Sequence, residues 1–218
     1  MTAQLAIDSA QSFDADPVAG RDLGELSFIG IARSLSRDQE VYGQGDRTDF
    51  AYKVASGAVR ATRMLADGRR QITDFYLPGD VFGIELGAAH SSAAEAICDT
   101  VVVSARRSSL GEDQDQRSRL WLHTMRALQR SQAHLLTLGR RTAIERIAIF
   151  LVDLADRIGA TDQMLAPMSR LDIADYLGLT IETVSRTLTL MQTKGLLAIE
   201  NGRQLRLLKR ARLAELCE

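Results

Sequence analysis

The sequence predicts an α+β fold in three parts: an N-terminal antiparallel β-roll, a long helix and a C-terminal winged helix-turn-helix. Three observations carry this. Between about 40 and 107, turn signals recur about every eleven residues, at Gly45-Asp46, Gly57, Asp67-Gly68 and Pro78-Gly79, the even spacing of short strands in a sandwich or barrel. From Trp121 to Leu135, residues on one helix face step by four and three. The stretch 169–193, SRLDIADYLGLTIETVSRTLTLMQT, reads as two short helices about a glycine turn.

In order along the chain, 1–20 is acidic and has no basic segment followed by an apolar block, so it predicts a disordered tail rather than a secretory signal. No apolar run is long enough to span a bilayer, and the expected location is the cytoplasm, with no membrane partner. The β-roll is expected over 21–110. Asp67-Gly68, between ATRMLA and RRQITDFYL, is a strong hairpin signal, and AICDTVVVSA closes the sheet with β-branched residues. Such a roll serves as a sensor, a cupin-type enzyme or a scaffold. A cupin metal site needs clustered histidines. Here His90 stands alone on the roll, while His123 and His134 fall on the following helix, so neither a metal nor enzymatic activity is expected. Cys98 and Cys217 are too far apart in sequence for a disulfide framework or zinc spacing. Cys98 reads as a core thiol and Cys217 as an exposed terminal one.

The long helix is expected over 111–138. Trp121, Met125, Leu128, Gln132 and Leu135 have heptad spacing, which predicts a dimer seam, with Gln132 setting register. The bland alternative is a helix packed on the roll. The winged domain is expected over 139–218. Its first helix carries the stripe Ile144, Ile147, Ala148, Leu151, Leu154 and Ile158, a floor for the helix-turn-helix. Lys194-Gly195 ends the second helix of that motif, and LLAIE and RQLRLLK around Asn201-Gly202 form the wing. Arg203, Arg206 and Lys209 on the wing are candidate phosphate contacts, or merely a solvated basic face.

The stretch 169–193 carries the chemistry. Ser169 caps the first helix, with Asp172 completing a capping box. Gly178 supplies the turn and Thr180 caps the second helix. Ala174 permits a close crossing, and Ile181, Val184, Leu188 and Met191 are expected on the buried face. The other face carries Glu182, Ser185, Arg186 and Thr189. Arginine donates twice to guanine O6 and N7, glutamate accepts from cytosine N4, and serine bonds either kind of base edge. Their place in the first turns is where a recognition helix meets the major groove. Glu182, Ser185 and Arg186 are therefore the expected base readers of double-stranded DNA. Ser169, Thr180, Thr183, Thr189 and Arg203 are expected to contact the backbone or support the readers. Net charge supports this weakly: the whole chain is −1, but 139–218 has 12 basic and 10 acidic residues against 15 and 18 before it.

A roll, a long helix and a winged helix-turn-helix, with FYLPGDVFG (75–83), TAIERIAIFL (142–151) and DIADYLGLTIETVSR (172–186), resemble the CRP/FNR family of bacterial transcription regulators. The resemblance covers roughly 40–208 and implies a cyclic-nucleotide-binding-like roll, a homodimer, and RNA polymerase as partner. It also implies an activating surface on the hairpin 65–70, at Arg69 and Arg70. The arrangement Glu182, Ser185, Arg186 is similar to the triad of the FNR side, which reads TTGAT half-sites. Ile181 and Ser185 depart from the cyclic-AMP branch, which has arginine and glycine there. The family's nucleotide pocket pairs a glutamate with an arginine, whereas VFGIELGAAHSSAAEA keeps Glu85 and offers no arginine. With no cysteine before Cys98, four-cysteine ligation of an iron–sulfur cluster is impossible. No cofactor is expected. What remains is similar to the FixK-type branch, which activates genes of microaerobic respiration and nitrogen fixation. The alternative is a ligand-gated regulator with a nucleotide or other small molecule in the roll.

Overall fold

The computed structural model describes residues 30–111, 114–160, 163–200 and 204–217. The expected tail, 1–20, lies outside them, as do Asn201, Gly202 and Arg203.

Two four-stranded antiparallel sheets make the roll. One has strands β1 (Ile31–Leu35), β8 (Thr100–Arg106), β3 (Phe50–Ser56) and β6 (Val81–Phe82) in that order. The other has β2 (Glu40–Tyr42), β7 (Ala93–Ala96), β4 (Val59–Met64) and β5 (Arg70–Tyr76). The strands begin about nine residues earlier than the turn spacing suggests. β1 is an edge strand with four of its five residues exposed, so it has no apolar alternation to betray it. The Asp67-Gly68 hairpin joins β4 to β5, with Leu65 N–H bonded to Arg69 O at 2.9 Å. Gly57 has φ +81°, and a Cβ there would lie 2.5 Å from the Asp99 carbonyl oxygen, so this turn admits only glycine.

After a single 3-10 turn, α1 (Gln114–Arg140) runs 27 residues as one helix. Then follow α2 (Ala143–Ile158), β9 (Gln163–Leu165), α3 (Arg170–Leu177), α4 (Ile181–Thr193), β10 (Leu197–Glu200), β11 (Gln204–Leu207) and α5 (Arg210–Glu215). The wing is three-stranded, in the order β10-β11-β9. β9 was not expected. Its three residues are too few for a periodic signal, and its pairing with β11 is long-range.

The stripe on α2 is buried as expected at Ile147, Ala148, Leu151 and Leu154. A second, unforeseen feature starts this helix: Thr142 and Glu145 form a capping box. Arg146 then ties three elements together. Its guanidinium donates to the carbonyls of Arg141, Leu138 and Leu177 at 2.9, 3.0 and 2.9 Å, joining the ends of α1 and α3 to α2. One apolar core is continuous from the roll (Ile72, Phe75, Ile97) through α2 to α3 and α4. A smaller one fills the roll itself, where Tyr42, Tyr52, Tyr76 and Phe82 stack around Val54, Val59 and Val102.

Candidate nucleic-acid interface

The reading unit is built as its local sequence dictates. Ser169 Oγ accepts from Asp172 N–H at 3.0 Å while the Asp172 carboxylate accepts from Ser169 N–H, the reciprocal capping box. Gly178 ends α3 at φ +61°, ψ 41°, a left-handed conformation that costs any other residue energy. Thr180 Oγ1 accepts from Thr183 N–H at 3.2 Å and starts α4. Between the helices, Ile173, Ala174, Leu177, Val184 and Leu188 are buried. Ile181 is not part of this plug. It lies in the first turn of α4 and is exposed; Thr187 takes a buried position instead.

Glu182 and Arg186 are exposed and Ser185 is half-buried between them on the outer face of α4. Hydrogen bonds from the first helical turn and from Thr180, together with the Arg186 charge, hold the Glu182 carboxyl below the usual carboxylate range. The ionised carboxylate is an acceptor only, as the expected bond from a base amino group requires. Arg170, which sequence reasoning missed, donates from Nη1 to Ser185 Oγ at 3.3 Å. It is the first residue of α3, and only the packing of the two helices brings it to this face. Thr189 Oγ1 donates to Ser185 O at 3.0 Å, and the Thr183 and Thr180 hydroxyls lie 3.1 Å apart. On the wing, Arg206 faces Glu200 at 3.8 Å and Lys209 stands at the start of α5.

Of the residues expected to form a dimer seam, Trp121, Leu128 and Leu135 are 64%, 48% and 66% exposed, Gln132 is exposed too, and Met125 is half-covered. The opposite face of α1 is polar and turned to its own chain. There Arg130 lies about 4 Å from Asp74 and Asp80, and His134 stacks on Tyr176 at 4.0 Å. Burial lowers the pKa of His134, which favours the neutral ring.

The hairpin pair Arg69 and Arg70 divides. Arg69 is exposed and pairs with Asp67 of the same turn. Arg70 is not free to meet a partner: its guanidinium is engaged by Asp172 and Asp175 of α3. In the roll, Glu85 accepts from Ser91 N–H at 3.0 Å and lies 3.1 Å from His90 Nδ1, with His90 buried and stacked on Tyr42 at 3.6 Å. Although burial works against it, these hydrogen bonds hold Glu85 below the ordinary glutamate range. Glu85, which the family resemblance would set in a nucleotide pocket, is thus tied to its own loop. Cys98 and Cys217 are both partly buried, and Cys217 Sγ bonds to Leu213 O within the chain, so neither is a freely exposed thiol.

Comparison with known proteins agrees with this architecture. Residues 32–112 match the cyclic nucleotide-binding domain model, and 145–216 match the Crp-like helix-turn-helix domain model. The chain is 47% identical over 197 residues to the nitrogen fixation regulation protein FixK of Rhizobium meliloti, covering 89% of this chain and 92% of that one. It is 41% identical over 218 residues to FixK of Azorhizobium caulinodans, covering 96% and 88%. The solved structure of FixK2 from Bradyrhizobium japonicum superposes with a TM-score of 0.82 at 46% identity, over 87% of this chain and 98% of that one. Among the described residues no helix is long and apolar enough to cross a membrane, and no three His, Cys, Asp or Glu side chains gather as metal ligands. With a β-roll, a long helix and a Crp-like reading unit all matched along nearly its whole length, the chain belongs to the CRP/FNR family of DNA-binding transcription regulators, in its FixK branch.

Proposed function

We propose that this regulator binds as a homodimer to an FNR-type palindrome, TTGAT…ATCAA, and activates transcription there by recruiting RNA polymerase. Its genes are those of nitrogen fixation, as the names of its relatives have it, or of microaerobic and anaerobic respiration, as the family resemblance implies. The observation that carries this reading is the open face of α4, where Glu182, Ser185 and Arg186 stand together at the helix start. Arg186 reads guanine in each half-site, Glu182 accepts from cytosine N4 on the other strand, and Ser185, steadied by Arg170, takes a thymine edge. Thr180, Thr183 and the wing arginine Arg203 meet phosphates, and Ser169 and Thr189 hold the two helices in shape. Trp121, Met125, Leu128, Gln132 and Leu135 of two copies form the seam. The polymerase contact is the tip of the β4–β5 hairpin, narrowed to Arg69, since Arg70 is engaged within the chain.

The test is binding to the palindrome and to single-base changes of it at several salt concentrations. Arg186→Ala loses about 1–3 kcal/mol per half-site and its preference for G. Arg203→Ala weakens all DNA alike and lowers the salt slope by roughly one. If Arg186→Ala keeps the preference for G over A, the assignment of the reader is wrong. The second reading, a small molecule gating the roll, meets a roll interior already filled by Tyr42, Tyr52, Tyr76 and Phe82. An open cleft of about 190 Å³ does lie outside it, between β5, α1 and α3, lined by Asp74, Arg130, His134 and Tyr176. A rise in thermal midpoint with a cyclic nucleotide would restore that reading.

A further inference from the structure

The roll and the reading unit are joined by more than the apolar core. Asp172, the third residue of α3, uses its two carboxylate oxygens for two tasks. Oδ2 caps α3 by accepting from Ser169 N–H and Oγ at 3.0 and 2.7 Å. Oδ1 accepts from two arginines of the roll, Arg60 Nη1 at 3.2 Å and Arg70 Nη2 at 3.0 Å. Arg60 is held in turn by Asp38 and Glu95, at 2.9 and 2.7 Å. Arg70 continues to Asp175, one turn along α3, at 2.7 Å, and Gln71 donates to the Asp175 carbonyl at 2.6 Å. The Asp172 and Arg60 side chains are only 5% and 11% exposed. We propose that this network, Arg60–Asp172–Arg70–Asp175, is a clamp through which the β-roll sets the pose of the DNA-reading unit, with Arg60 and Arg70 as positioning residues for recognition.

The physical division of labour is clear. Phe75 against Phe150 and Tyr176, at ring distances of 6.1 and 5.1 Å, draws the two parts together, but apolar contact is non-directional. Charge-assisted hydrogen bonds from planar guanidinium groups are directional, and a pair shared by one carboxylate oxygen tolerates little rotation. A buried ionic network contributes little net stability and can still select one arrangement among several. The arrangement selected here leaves the outer face of α4 open, since Glu182 and Arg186 are exposed while the clamp is closed. The clamp therefore does not mask the reader. In a dimer, two heads must meet two half-sites at a set separation, and a head free to swing lowers the effective concentration of the second head at its half-site.

The proposal rests on the DNA-binding reading above, and the experiment separates the two. Arg70→Gln and Asp175→Asn lie at the rim of the network, so the Arg60–Asp172 pair stays intact. Affinity is measured for the TTGAT…ATCAA palindrome, for palindromes with one base pair added or removed at the centre, and for a single half-site. With the clamp weakened, affinity for the natural spacing falls about tenfold, the penalty for altered spacing shrinks, and half-site affinity stays within about twofold of wild type. Arg70→Lys, which keeps the charge, falls between Arg70→Gln and wild type. A readout without DNA accompanies this: with both native cysteines replaced by serine, spin labels at Arg63 and Thr189 report the distance from roll to reader. Its distribution broadens in Arg70→Gln. An unchanged distribution, an equal loss on half-site and palindrome, or tighter binding by Arg70→Gln each overturns the clamp. A wild-type protein that ignores the palindrome, beside a broadened distribution in the variant, overturns the DNA target and leaves the clamp standing.

Discussion

Asp74 shows how one side chain takes its chemistry from tertiary neighbours. It lies on β5 beneath α1 and α3, and burial pushes its pKa up to about 6 against the pull of Arg157 and Arg130. The folded state thus binds this proton more tightly than the unfolded chain does. The associated stability is fully present below about pH 4 and lost as pH rises towards 6, leaving the charged carboxylate as a net cost at neutral pH. Asp74→Asn should therefore raise the midpoint of unfolding at pH 7.5. The gain should be about 1–2 kcal/mol, less than the full shift implies because solvent still reaches part of the side chain, and it should vanish near pH 4. Denaturant titrations of both proteins at the two pH values check it, and a destabilised Asn variant at pH 7.5 would show that the carboxylate is a favourable partner of Arg130. Arg146 is the second residue of this kind. Removing a guanidinium that satisfies three carbonyls, as in Arg146→Ala, should cost about 2–3 kcal/mol in the same titration.

At the scale of elements, α1 decides whether the molecule has a partner. Its apolar face is the one left open and its polar face is the one turned to its own chain, the reverse of a helix that has finished burying itself. In the proposed dimer a second copy of the chain covers that open face. In the proposed seam Leu128→Glu places two carboxylates, and desolvating each is costly. The variant should sediment as a monomer and lose more than tenfold in affinity for the palindrome. A variant that stays dimeric at full affinity puts the seam elsewhere.

For the whole molecule, the hairpin β4–β5 works on both sides of itself. Arg70 faces inward to α3, while Arg69 faces solvent at the turn. The two proposed functions, polymerase contact and positioning of the reader, therefore fall on neighbouring residues and can be tested apart. Arg69→Ala should lower transcription in vitro from a promoter with a single site and leave DNA affinity intact. Arg70→Gln should change DNA binding before polymerase is added. If Arg69→Ala transcribes at the wild-type rate, the activating surface is not this turn.

The sequence by itself determined what is local and periodic. The turn glycines, the capping box at Ser169, the left-handed Gly178 and the heptad steps on α1 are each set within a few residues. They sufficed for the roll, the helix and the helix-turn-helix, and for placing Glu182, Ser185 and Arg186 on the outer face of α4. It missed what pairs across distance or lacks a period: the exposed edge strand β1, the short strand β9, and the capping box of α2, whose signature Thr142 and Glu145 had been legible. Tertiary structure alone decided that Ile181 is exposed, that Arg170 reaches Ser185, and that Arg70 is bound rather than free. It also decided that Asp172, read from sequence as a helix cap, is the carboxylate on which two arginines of the roll converge from 112 and 102 residues away. No local rule can anticipate that, because the lone pairs of a capping carboxylate that the cap leaves unused are claimed by whichever donors the packing brings.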